Sequence, residues 1–182
     1  MIYLIIPVIL CMTAIFFYNR FIRLDNLSRE AWSDVTVQLK RRYALIPNLV
    51  ALVKGHMKYE QKTLTDITKV RQSAIRGITP DQKADSENQL TESLKHLFIV
   101  AENYPVLKTD KQFQELFQNL VEIENTLQIA RRYYNATVRD YNIAIHSFPG
   151  NLLAWCLHLS DKVYFEIAAF ETKNIKVKFH EK

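Results

Sequence analysis

The chain has 182 residues, 48% of them hydrophobic and 24% charged, with a net charge of +5; beyond an apolar amino-terminal segment this is enough for one folded core and too little for two. Only three glycines leave little room for sheets or long loops, and two cysteines, one of them in the apolar segment, exclude a disulfide framework. Residues 19 to 76 hold twelve Lys or Arg against five Asp or Glu. Beside an apolar segment that excess reads first as attraction to anionic lipid, and nucleic-acid binding is the weaker reading because no basic-aromatic stacking motif accompanies it.

The first eighteen residues, MIYLIIPVILCMTAIFFY, carry no charge, and at about 1.5 Å per residue they reach roughly 25 Å, close to the hydrocarbon thickness of a bilayer. No Lys or Arg precedes the apolar run and no A-x-A-like site follows it, so it reads as an uncleaved single-pass signal anchor and not a signal peptide. Phe21, Ile22 and Leu24 can lengthen the span while Arg20 and Arg23 snorkel to the interface. Arg20, Arg23 and Arg29 all lie on the carboxyl side, which by the positive-inside rule leaves the amino terminus outside and the folded domain cytoplasmic, at the cell (inner) membrane. The expected division is residues 1–24 as anchor and juxtamembrane segment, 25–172 as helical bundle and 173–182 as tail.

From Leu24, the positions Leu27, Ala31, Val35, Leu39, Ile46, Val50, Val53, Met57, Leu64, Ile67, Val70 and Ala74 keep mostly three- or four-residue spacing and predict one long helix, continuous or nearly so with the anchor. Pro47 removes the hydrogen bond to the Tyr43 carbonyl, so a kink is expected one turn before it and not a break. Lys40, Arg41 and Arg42 read as a solvated face, with pairing to acids of a neighbouring helix as the alternative. Gly77 ends this helix, and Thr79-Pro80-Asp81 starts another that runs to Tyr104 over Leu90, Leu94, Leu97, Phe98 and Ala101.

Pro105 to Asp110 is a turn into the helix around which the chain is organised, from Asp110 to Phe148. In it Phe113, Leu120, Leu127, Tyr134, Tyr141 and Phe148 recur every seventh residue, flanked by Leu116, Ile123, Ala130, Thr137 and Ala144. That pattern makes one supercoiling seam, and the widening at Phe117, Val121, Val138 and Ile145 calls for two neighbours. After Pro149-Gly150, a last helix is expected from Leu152 to about Phe170. Its stripe Leu152, Cys156, Leu159, Val163, Ile167 and Phe170 would dock it, while Leu153, Leu157 and Tyr164, with Trp155 to one side, form a second stripe that is either buried deeper in the same bundle or against its own tail, or serves as a subunit or partner interface. The fold class is therefore all-α: a transmembrane helix followed by an elongated antiparallel bundle of three long helices and a shorter carboxy-terminal one.

Several blocks carry a resemblance. Tyr18-Asn19 and Leu24-Asp25-Asn26, then AWSDVTVQLKRRYALIPNLVALVKG, NQLTESLKHLFIVAENYPVLK, ENTLQIARRYYNATVRDYNIAIHSFPGNLLA and YFE, in this order and spacing, resemble the LemA family from Tyr18 to Phe179. The pattern weakens over residues 77 to 86, and Asn174-Ile175-Lys176 stands where the family commonly has a proline before V-x-F. The resemblance implies a single amino-terminal membrane helix and an elongated bundle, and it implies no reaction. Members tend to accompany HtpX-like membrane metalloproteases, and a relative takes part in forming magnetosome membranes, which together suggest a membrane scaffold or adaptor.

No constellation for catalysis stands out. The five histidines are scattered over different elements, His56 with Glu60 and Glu92 with His96 are isolated four-residue pairs, and no phosphate loop, nucleophile elbow or H-E-x-x-H motif occurs. No catalytic residue, metal or cofactor is expected. On the long helix Glu124, Asn125, Arg131, Arg132, Asn135 and Asn142 flank the seam, where they either fix register or, for Arg132, Asn135 and Asn142, recognise a partner. The leading expectation is a non-catalytic membrane-anchored scaffold that forms homo-oligomers or recruits partners; an accessory metal-binding or catalytic bundle is the alternative.

Overall fold

The computed structural model describes residues 2–57 and 60–165, and the helices among them are α1 (Ile2–His56), α2 (Gln61–Arg76), α3 (Pro80–Ala101), α4 (Pro105–Thr109), α5 (Lys111–His146) and α6 (Gly150–Cys156), with no strand. The fold is all-α as expected. At 55 residues, α1 extends about 80 Å, and its two halves differ. From Ile5 to Arg20 the side chains are largely exposed and, up to Arg20, uncharged; from Phe21 onward Phe21, Ala31, Val35, Leu39, Ile46, Leu49 and Val53 are buried at helical spacing.

The buried stripe of α1 lies along α5, which runs antiparallel to it: Trp32 packs against Tyr134 at a tilt with centroids 5.1 Å apart, and Arg42 reaches Glu124. Asp110 starts α5 by accepting from the backbone N–H of Gln112 (2.7 Å) and Phe113 (3.1 Å), which satisfies two donors a helix start leaves free. The seam holds at Phe113, Leu120, Leu127, Tyr134 and Tyr141, all buried. It ends there. Phe148 is 81% exposed, and Phe117 and Val121 are open at the surface while Val138 and Ile145 are buried, so the apolar face widens inward only at its carboxy-terminal end.

The helix predicted to run from Leu24 to Gly77 is two helices. Pro47 does not interrupt α1; the chain leaves it at Met57, whose side chain is fully buried, and α2 returns to pack chiefly on α3. The Tyr43 carbonyl that Pro47 frees accepts a 2.8 Å hydrogen bond from Arg71 Nε on α2, so the backbone defect is repaired by a neighbouring helix and serves to seat it.

The last helix is the clearest correction. It begins at Gly150 and stops at Cys156 because His158 adopts a left-handed conformation (φ 52°). His158 N–H then bonds to the Trp155 carbonyl (3.1 Å) and Leu159 N–H to the Ala154 carbonyl (3.0 Å), the paired closure of a Schellman motif. Leu159 to Phe165 continue without helix. The two predicted stripes therefore do not exist as helix faces: Leu152, Cys156 and Val163 are exposed, and Gly150 and Ala154 are the residues buried against the bundle. Ile167, Phe170 and the NIKVKF tail lie outside the described residues.

Candidate functional site

Midway along the molecule, three helices bring charge into the interior. Arg42 on α1 is 2% exposed; its Nη1 lies 3.3 Å from Glu87 on α3 and 3.2 Å from Glu124 on α5, and its Nη2 donates to Thr91 Oγ1 at 2.8 Å. Glu87 is fully buried and also accepts from the Tyr43 hydroxyl. Lys83 donates to the Ala74 carbonyl at 3.2 Å on one side, and Arg131 approaches on the other, buried, with Nε and Nη2 meeting no acceptor among the described residues. Burial drives Glu87 above its ordinary pKa and Arg131 below its own, against the attraction of their neighbours, while burial and the adjacent carboxylate push Tyr43 up. Since Arg42, Glu87 and Arg131 expose almost nothing, a solute could reach them only if the bundle opened. The cluster can orient helices against one another; it is not arranged as an open reaction site.

Toward the amino-terminal side of this cluster, α1 and α5 form a two-helix hairpin without α2 or α3. The segment after α6 covers it. Asn142 donates to the Lys162 carbonyl (3.0 Å) and accepts from Lys162 N–H (2.9 Å); Asn135 does the same with Phe165 (3.2 and 2.9 Å). Tyr134 Oη adds a bond to the Val163 carbonyl at 2.9 Å. Each carboxamide thus mimics a strand neighbour for an extended backbone that has no sheet to join. Phe165 is buried between Trp32 (5.5 Å) and the Arg131 guanidinium (4.7 Å), and Lys162 pairs with Asp25 at 2.7 Å. Burial alone would raise the Asp25 pKa, but the bonds from Lys162 and Arg29 outweigh it and hold the carboxyl below its ordinary value.

The sequence-predicted residues are distributed accordingly. Arg20 and Arg23 are exposed where the apolar half of α1 ends, while Arg29 pairs with Asp25 at 2.8 Å on the same helix. Asn135 and Asn142 do lie on one stripe, and both are engaged by the chain's own strap, whereas Arg132 is exposed. Leu153 is half-buried beside Phe21, Tyr164 is half-buried against the main core, and Trp155 and Leu157 are exposed. Arg42, read as part of a solvated run, is buried, while Lys40 and Arg41 are exposed. Glu87 was missed. Its signal was available: counting back from Leu97, Leu94 and Leu90 at three- and four-residue steps lands on Glu87, on the apolar stripe of α3. Also unforeseen is an open groove of about 360 Å³ at the other end of the bundle, lined by Phe98, Ile99, Phe113 and Phe117, where Phe98 meets Phe117 edge-on at 4.6 Å.

Among the described residues, no group of three or more His, Cys, Asp or Glu side chains is placed to hold a metal. What the geometry defines is an elongated helical bundle, locked by internal charges, whose leading helix continues as an apolar stretch long enough to cross a membrane. Residues 31–179 match the model of the LemA family, and the chain belongs to that family. It is similar to Protein LemA of Metamycoplasma hominis, with 26% identity over 86% of this chain and 72% of that protein. It is also similar to Magnetosome protein MamQ 2 of Paramagnetospirillum magneticum, with 23% identity over 82% of this chain, and to Magnetosome protein MamQ of Magnetospirillum gryphiswaldense, with 21% over 81%. The alignments to these two magnetosome relatives cover 64% of each relative's own length. None of these names carries a catalytic activity.

Proposed function

We propose that this protein is a non-catalytic scaffold or adaptor, anchored by the first part of α1 in the cell (inner) membrane with its amino terminus outside, which assembles or recruits proteins at the cytoplasmic face. The observation that carries the reading is the continuity of α1: one helix with no break passes from an exposed, uncharged stretch into the buried spine of the bundle. An exposed stretch of that length has to be covered, and lipid fits it by length and composition. Membership of the LemA family and the magnetosome relatives support a role at a membrane.

A bundle whose central charge cluster is buried leaves its exterior as the working surface. The outer side of α5 shows two exposed pairs at four-residue spacing, Phe117 with Val121 and Ile129 with Tyr133, separated by Asn125, with exposed Arg132 beside the second. On this reading a second copy of the chain takes the patch of Ile129 and Tyr133, since the same apolar patch on two copies can pair with itself across a two-fold axis. An HtpX-like membrane metalloprotease is the hetero-partner to look for. Crosslinking in native membranes through a photoreactive residue at position 129, followed by identification of what co-migrates, tests both. Crosslinked dimers or a specific membrane partner are expected; a chain that stays monomeric and uncrosslinked at this face overturns the scaffold reading.

A further inference from the structure

The turn before α6 and its outer face carry three large apolar side chains left largely uncovered by the described residues: Phe148 is 81% exposed, Leu152 62% and Trp155 81%. Leu152 and Trp155 stand three residues apart on one side of the helix, and Phe148 is exposed in the turn just before it. The opposite side is fixed. Gly150 sits where a β-carbon would fall 3.1 Å from Phe17 and 3.2 Å from Phe21, and Ala154 is buried in the cluster of Phe21, Tyr141, Ala144 and Ile145. Small residues let this short helix lie directly on α1 and expose its large ones outward.

The position of that contact along α1 is the second observation. Phe17 belongs to the uncharged stretch, and the first charged residue, Arg20, follows within one turn, about 4 to 5 Å of helix. A helix docked on Phe17 and Phe21 lies at the boundary between the apolar part of α1 and its charged continuation. Tryptophan with neighbouring aliphatic and phenyl side chains, at that level and facing away from the protein, has the composition of an interfacial membrane contact. We infer that Phe148, Leu152 and Trp155 insert into the lipid interface beside the anchor, as a second attachment that fixes the tilt of the bundle over the bilayer. This rests on the anchoring reading above. It also gives the strap a role, since residues 159–165, clamped by Asn135 and Asn142, hold α6 from its other end.

The test uses the full chain in vesicles of phosphatidylcholine and phosphatidylglycerol, with a fraction of the lipid brominated on its acyl chains, either near the headgroup or near the chain end. The protein has two tryptophans, and Trp32 is packed inside the bundle against Tyr134 and Phe165, so the difference between the parent and Trp155→Phe reports Trp155. Loss of Trp155 emission is expected, strongest with bromine near the headgroup, together with protection from aqueous iodide. Iodide quenching without bromine quenching overturns the inference, and so does protection from both, which would mean that a second copy covers the patch. Carbonate extraction of the same vesicles separates this from the anchor: protein released by carbonate overturns the anchoring reading, whereas protein retained with Trp155 unquenched by bromine overturns the α6 contact alone. A Phe148→Ser/Leu152→Ser variant, which leaves the Gly150–Ala154 contact in place, should stay membrane-bound and reduce the bromine quenching.

Discussion

Glu87 gives up its contact with water and receives in exchange Arg42, the Tyr43 hydroxyl and the nearby charge of Arg131. Truncating Arg42 leaves the buried Glu87 carboxyl without its ion-pair partner. Arg42→Ala should therefore lower the stability of the full chain in mild detergent by about 3 to 5 kcal/mol, whereas Arg42→Leu with Glu87→Leu should cost much less, read as denaturation midpoints. An equal loss in both would show that packing, and not charge, is what these residues supply. The pH dependence follows from the direction of the Glu87 shift. Because its folded pKa lies above the ordinary 4.5, the folded state holds the proton more tightly, and stability should fall as pH rises from about that value through the raised one. Glu87→Gln should flatten this part of the pH profile. Asp25 acts oppositely: its contribution is complete above the ordinary carboxylate value and fades as pH drops through its lowered one.

At the scale of elements, the seam of α5 and the strap over its carboxy-terminal half are separable. Leu127 is fully buried in the main core, so Leu127→Ala should cost about 2 to 5 kcal/mol, while a change at exposed Gln118 should stay within about 0.5 kcal/mol; equal midpoints would sink the seam. Asn142→Ala removes both bonds to Lys162 and strands a half-buried carbonyl and N–H, which should cost about 1 to 3 kcal/mol and raise amide exchange at Lys162 with little change at Leu127. Uniform exchange across the chain would mean that the strap opens only with the whole bundle. Sequence reading got the α5 seam from its heptad and the α3 start from Thr79-Pro80. It overran α6, because a Schellman closure usually announces itself with glycine and here His158 takes the left-handed position. Asn135 and Asn142 were legible as a pair one heptad apart, but their partners are main-chain groups that no side-chain pattern can disclose.

For the whole molecule, orientation is the testable property. With Cys11 and Cys156 replaced by Ser, Gln118→Cys on the outward face of α5 should resist a membrane-impermeant thiol reagent in intact cells and react after permeabilisation, as the arginine asymmetry requires. Labelling in intact cells would reverse the topology. The sequence by itself determined the helical class, the apolar leading segment, the buried heptad line and the family, because each is written in the period or order of neighbouring residues. Only the tertiary structure decided that Arg42 turns inward to Glu87, that Arg71 repairs the carbonyl freed by Pro47, and that α6 stops early and lies on Phe17 and Phe21. Those outcomes depend on groups 28 to more than 130 positions apart meeting in space, and periodicity records which face of a helix is buried without recording what it is buried against.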